Sequence, residues 1–570
     1  MKFRSMVLSV LAGLPVLLHS YGPILGEESV VVPGTRISVA SFGAIPNDGQ
    51  NDAPAIRKAL EYCRQHPGVI LYFPPGVYDF RDEEAVRLMD QAMAGKFGPD
   101  PETTLLSPYF PYARGLDFAG VSGVTVEAQG AILLFEGWME PVSLNRCKDI
   151  TIKGLTIDYK RKPYSAGKII GVGRGFFDAA IEKQYPINPQ MPVPRVMFWD
   201  PKGHRMLGEV YPDKIEILAP QTVRVFSTDE IPAGAREGLV GLVHSMHFRP
   251  AVLIQEADNI RLEDVTIHSQ PGMGILGHRS SNITLMGVRI VPGAGSFIST
   301  TTDATHFTSC TGLIRMENSE FEGNGDDGTN IHNYYYSVAK GKQPRLYVLT
   351  LPVKTHAGVL DYPDVGDFLD LVKAGSLEPV KDVRVKSVRP DRDAMIVEVE
   401  LDADLPEDLG DYYLINTTRL PKVEIVGCRF LSHRARGTLI KTRNVLIERN
   451  LFFENTGTAI QLAAEESWRE GVPSSNVVIR NNRIVGCGRG AGGINGTSGV
   501  LVNISADKRD VPGLHRGLLI EGNIIDGEGT DKCISISQAQ DVEVRYNELS
   551  GCRQPIKTDH SNGLSIHDNM

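Results

Sequence analysis

Three aspartates crowd one stretch of the chain, residues 300–332. The first stands in Thr301-Thr302-Asp303-Ala304-Thr305-His306. The other two stand in Gly325-Asp326-Asp327-Gly328-Thr329-Asn330-Ile331-His332. Asp303 and Asp326 are 23 residues apart. If that is one turn of a solenoid, one revolution sets Asp303 about 4.8 Å from Asp326, with Asp327 beside them. Three carboxyl groups so close cannot all ionise freely, so at least one should keep its proton above the usual range. A protonated carboxyl beside an ionised one can split a glycosidic bond: one donates to the leaving oxygen, the other activates water. Gly325 and Gly328 are expected to let a ligand approach the backbone. Two other readings stay open. Asp-Asp-Gly is common in turns, and acidic clusters bind calcium, which with an arginine base would favour elimination.

The solenoid has its own signature. Apolar residues recur at offsets 0, 2, 5 and 7, as in Ile150/Ile152/Leu155/Ile157, Ile260/Leu262/Val265/Ile267 and Ile283/Leu285/Val288/Ile290. Offsets 0 and 2 face inward from one strand, and offsets 5 and 7 face inward from the next, after a tight turn. Several successive starts lie 22 to 24 residues apart, a period that marks a β-solenoid rather than a sandwich. In the C-terminal part the third position becomes asparagine: Asn450, Asn482, Asn523, Asn547 and Asn569. Asparagines repeated at one turn should form a ladder, each amide bonding the next coil.

Two stretches break the repeat. Residues 160–248 and 335–417 carry alternating strands with turn signals and read as small inserted antiparallel β-barrels or sandwiches. The remainder divides into 1–25, a signal peptide; 26–159, a cap and the first coils; 249–334, the coils with the aspartates; and 418–570, the C-terminal coils. Residues 84–118 read as a long loop. The opening order of strand, turn, amphipathic helix 53–65 and apolar strand resembles that of pectin-degrading right-handed parallel β-helix proteins, whose helix covers the first open coil. The fold class expected is all-β: a parallel β-helix with two small barrels.

At the aspartates the resemblance narrows. Thr302-Asp303 followed one coil later by Gly325-Asp326-Asp327 resembles the catalytic pattern of polygalacturonases, although Thr301-Thr302-Asp303-Ala304 stands where Asn-Thr-Asp-Gly would. The fuller pattern resembles glycoside hydrolase family 110, the α-1,3-galactosidases. It includes Gly-Asp326-Asp327-Gly-Thr-Asn-Ile-His, the insertion directly after it, Arg434-Ala-Arg436-Gly437, and Trp468 near Glu465 and Glu466. That resemblance implies an inverting exo-hydrolase removing terminal α-1,3-linked galactose, with Asp326 as general acid and Asp303 and Asp327 handling water. Inverting enzymes usually hold their carboxyls about 6.5–9.5 Å apart, wider than adjacent coils, so inversion rests on resemblance alone. The candidate sugar-binding residues are His306, Asn330, His332, Arg434, Arg436, Lys441, Glu465, Glu466 and Trp468. A galacturonan hydrolase and a non-catalytic glycan adhesin are the alternatives.

The bulk properties are those of a folded globular protein, compatible with a neutral ligand such as a sugar but also with almost anything else. Of 570 residues 42% are hydrophobic and 22% charged, and the net charge is −10. No basic cluster points to nucleic acid or an anionic membrane. Lys2 and Arg4 before the apolar run 6–18 read as a secretory signal too short to span a bilayer, so the protein is expected to be secreted or periplasmic. Seven scattered cysteines with no Cys-x-x-Cys suggest neither a disulfide framework nor a zinc site, though Cys533 and Cys552 could pair. No metal or cofactor is expected, and the partner is a glycan ending in α-galactose.

Overall fold

The computed structural model describes residues 34–106, 110–351, 355–490, 496–508 and 510–570. The expected signal peptide lies outside them. Two long parallel sheets wind together as a solenoid. One has thirteen strands, from Arg36–Ser38 to Asn562–His567; the other has twenty. Register follows the sequence repeat: Ile260 pairs with Ile150 before it and Ile283 after it, and Ile425 pairs with Ile447. The inward residues stack into one continuous apolar core. Because Ile150 and Ile260 are direct neighbours, the first insertion leaves the solenoid and returns without disturbing its register. Ile314 and Val423 do the same around the second insertion.

The first coil is covered by the helix Ala53–Gln65, which buries Ile56, Ala59, Leu60 and Cys63. The stretch 84–118, expected as a long loop, carries the helices Glu83–Met93 and Glu102–Leu105 and the strand Arg114–Asp117. Asp82 caps the helix Glu83–Met93 by accepting from the N–H groups of Glu84 and Ala85, and Ala85, Leu88 and Ala92 form its buried stripe.

Asn450, Asn482, Asn523, Asn547 and Asn569 form the expected ladder. Each of the first four donates through Nδ2 to the Oδ1 of the next, at 2.8–3.0 Å. The same Oδ1 atoms of Asn482, Asn523, Asn547 and Asn569 also accept the preceding asparagine's backbone N–H. The cysteine pair Cys533–Cys552 is a disulfide, clamping the last coils, and the other five cysteines are buried and free.

The insertions differ from each other. Six strands of the second, from Tyr335–Lys340 to Tyr412–Asn416, close into an antiparallel barrel. The first, expected as a barrel too, is an open seven-stranded sheet whose edges Arg205–Val210 and Lys214–Ala219 do not pair. Its core is completed by Phe297 and Ile298 from a solenoid turn, so it has no need to close on itself. Replacing Asn482 with Ala strands the buried donors of Asn450. Unfolding should be easier by about 2–4 kcal/mol, seen as a lower Tm, whereas an unchanged Tm would show the ladder to be passive.

Candidate active site

Asp326 and Asp327 lie in the turn between the strands Glu320–Glu322 and Thr329–His332, and Asp303 lies in the preceding coil's turn, just before Thr305–Thr308. The strands pair Thr305 with Thr329 and His306 with Asn330, an offset of 24. Asp303 therefore aligns with Asp327, not with Asp326 as the 23-residue spacing suggested. The Asp327 N–H donates to Asp303 Oδ1 at 3.0 Å. One carboxylate oxygen from each of the three still lies within 4.8 Å of the others. Gly325 and Gly328 serve stacking rather than ligand approach: a Cβ on Gly325 would lie 2.2 Å from the Thr301 carbonyl, and one on Gly328 2.5 Å from that of Gly437.

Hydrogen-bond polarity locates a proton. The Asn333 carbonyl can only accept, so His332 Nδ1, at 3.1 Å from it, carries a hydrogen. Burial holds both His332 and His306 far below the usual imidazole range, so each is neutral with one N–H. His332 Nε2 must then accept from His306 Nε2 at 2.8 Å. His306 Nδ1 in turn must accept from Asp303 Oδ2 at 2.6 Å. Asp303 is thus the protonated carboxyl. Burial and the neighbouring Asp326 charge act in the same direction and push it up to about 8. Burial also raises Asp327, against the pull of Arg436. For Asp326 burial acts upward but is outweighed by Arg434, Arg195 and Arg436, which hold it low. Arg434 Nη1 sits 2.5 Å from Asp326 Oδ1.

The other expected residues sort into three groups. Arg436 binds Asp327 through its backbone N–H at 2.9 Å and its guanidinium at 3.2 Å. Lys441, fully buried, pairs with Glu465 at 2.5 Å and Glu470 at 2.6 Å, and Glu470 lies 3.5 Å from His332. Asn330 is buried with its Oδ1 unpaired among the described residues, an acceptor that a sugar hydroxyl would satisfy. Glu466 instead turns to the second insertion, accepting from the Gly375 N–H and the Tyr413 hydroxyl. Trp468 is 63% exposed on the turn between Glu465 and Glu470.

Several neighbours had no local sequence signal. Glu209, from the first insertion, accepts from Arg434 Nε at 2.7 Å and pairs with Arg195 at 3.2 Å. Arg195 Nη1 donates to the Gly325 carbonyl at 2.5 Å, pinning the aspartate turn from outside the solenoid. His247, at the end of that insertion, meets Glu102 at 2.8 Å. Burial acts to lower its pKa, but Glu102, Asp303 and Asp326 outweigh this and raise it. His356, from the second insertion, has its ring 4.6 Å from that of His306. The aspartate trio is also where a divalent cation would be sought. Asp326 already faces Arg434 and Asp327 faces Arg436, so two of the three carboxyls are matched to guanidinium groups, a cationic surround that does not suit a hard cation.

Residues 412–512 match the family model described as right handed beta helix region. The chain is 28% identical over 492 residues to α-1,3-galactosidase A of Shewanella woodyi, covering 79% of this chain and 76% of that one. It is 26% identical over 477 residues to α-1,3-galactosidase B of Bacteroides thetaiotaomicron, covering 78% and 75%. Among solved structures, a family 28 exopolygalacturonase of Yersinia enterocolitica superposes with a TM-score of 0.42 at 11% identity, covering 93% of this chain and 78% of that one. The chain is a right-handed parallel β-helix protein. Within that class its sequence is similar to the α-1,3-galactosidases, in keeping with the resemblance read at the aspartates.

The state of Asp303 gives a stability test. Its carboxyl titrates near 4 when unfolded and at about 8 when folded, so the native state binds the extra proton between those values. Native stability contributed by Asp303 therefore falls as pH rises from 4 to 8. Asp303→Asn removes this slope. Its Tm should drop less than that of wild type between pH 5 and pH 8, by on the order of 2 °C or more. Parallel Tm curves would show that Asp303 is ionised throughout.

Proposed function

We propose that this chain is an exo-acting glycoside hydrolase releasing terminal α-1,3-linked galactose from blood-group-B-type or linear α-galactosyl glycans, with inversion, outside the cytoplasm. The observation that carries the reading is a carboxyl trio with oxygens within 4.8 Å of one another, in which Asp303 is bonded to His306 and Asp326 to Arg434, so the like groups stand in unlike surroundings. The likeness to α-1,3-galactosidases supplies the bond. A non-catalytic adhesin has no use for buried protonated aspartates. A galacturonan hydrolase would want cations for uronate carboxylates, and Arg434, Arg436 and Lys441 are each already matched to aspartate or glutamate. The disulfide fits an oxidising compartment, in keeping with the N-terminal signal read from the sequence.

In this proposal Asp326 meets the glycosidic oxygen, because its side chain is 23% accessible while those of Asp303 and Asp327 are 7% and 3%. In the unliganded protein the proton sits on the deeper partners and Arg434 keeps Asp326 ionised. Sugar hydroxyls that engage Arg434 loosen that hold, and a proton within the 4.8 Å cluster then moves outward onto Asp326. The ionised inner carboxyl left behind activates water. The separation is narrower than inverting enzymes usually keep, so the proposed inversion draws on the family likeness.

Purified protein should release galactose from a terminal α-1,3-galactosyl oligosaccharide, with β-galactose as the anomer first seen by NMR. Release of α-galactose first would refute inversion, and no release from any α-galactoside would refute the whole reading. Asp326→Asn should lose at least about 1,000-fold on that glycan but far less on an aryl galactoside whose leaving group needs no proton. Equal losses on both would make Asp326 the base instead. The working cluster needs its proton, so kcat/KM should fall as pH rises through about 8, and a rate still climbing there would contradict the shared proton.

A further inference from the structure

The first insertion also forms one wall of a cleft of about 440 Å³ whose floor is the next two turns of the solenoid. Leu207, Glu209, Glu230 and Ala233 line the wall; Thr456 and Arg489 line the floor. We propose that this cleft is the subsite for the leaving portion of the substrate, the neutral glycan that carries the scissile galactose. The proposal rests on the α-galactosidase reading and specifies where its second half binds.

Position is the first argument. Strand register stacks Glu320, Arg429, Leu451 and Arg483 in successive coils. The turns that follow carry, in the same order, Asp326, Arg434, Thr456 and Arg489. Each step is about 4.8 Å, so the cleft opens about 10 Å from Asp326 along a single row of turns. Backbone contacts confirm the stacking: the Ala435 N–H donates to Thr456 Oγ1 at 2.9 Å, and the Gly490 N–H donates to the Thr456 carbonyl at 3.1 Å. Glu209 joins the two places directly. It lines the cleft and accepts from Arg434, which touches Asp326.

Chemistry is the second argument. Arg489 is matched to Glu454 and to Glu528 at 2.9 Å, and Arg205 lies near Asp200 at 3.5 Å and Glu454 at 3.8 Å. Its cations are answered from within and Glu230 adds a carboxylate to the rim, so the cleft repels a uronate or sialylated chain. Apolar surface from Leu207 and Ala233 beside the Thr456 and Asn455 groups suits a sugar, whose C–H faces alternate with hydroxyls. The volume falls within the range of ligand sites.

Ala233→Trp and Glu230→Trp, both on the exposed rim, fill the cleft without touching the aspartates. On an α-1,3-galactosyl tetrasaccharide each should raise KM about tenfold or more, while kcat/KM on an aryl α-galactoside changes less than about twofold. The galactose-free trisaccharide should bind wild type in titration calorimetry and fail to bind the filled variants, a readout that needs no turnover. Unchanged tetrasaccharide kinetics, or trisaccharide binding that survives both fills, overturns the subsite. Absence of turnover by wild type, with trisaccharide binding still sensitive to the fills, would instead count against the hydrolase reading and leave the subsite standing.

Discussion

The site depends on a steric constraint between successive coils. Parallel strands stack with their turns in register, and the turns must be flat enough for backbone to lie on backbone. Gly325 and Gly328 meet that condition, since neither has room for a Cβ against the carbonyl of the neighbouring coil. Once the turns stack, Asp303 and Asp327 have no choice but to share a boundary, and the Asp327 N–H donates to Asp303 Oδ1. Burial there makes two ionised carboxylates too costly, and a proton is retained. The shifted acidity is thus a product of solenoid geometry rather than of any one side chain.

Much of this was legible in the chain. The offsets 0, 2, 5 and 7 encode two inward-facing strands and a turn, and the structure pairs those very residues. The asparagine positions encoded the ladder. What the count could not supply was register at the site. The offset is 31 residues at Ile290 with Phe321 and 24 at Thr305 with Thr329, because the turn before Asp303 is much longer than the turn before Thr329. Counting 23 from Asp303 came close only because Asp303 sits at the very end of that long turn. A repeat period fixes the strands, but turn length decides which polar residue faces which.

The remainder was hidden because it arrives from outside the solenoid. Glu102, Arg195, Glu209, His247 and His356 come from the N-terminal region and the two insertions, where no periodicity marks a residue as facing the coil. Their effect is electrostatic. Arg195 and Arg434 hold Asp326 down while the inner aspartates rise, which splits three like groups into different protonation states. Glu466 shows the opposite failure. Its composition and neighbourhood suggested sugar binding, yet its carboxylate is spent bracing the second insertion.

The protonation pattern of the buried relay is the point on which the account turns. Neutron diffraction from crystals exchanged into heavy water near neutral pH would show it directly. Deuterium should appear on Asp303 Oδ2, His306 Nε2 and His332 Nδ1. Deuterium on His306 Nδ1, facing a bare Asp303 carboxylate, would contradict the account.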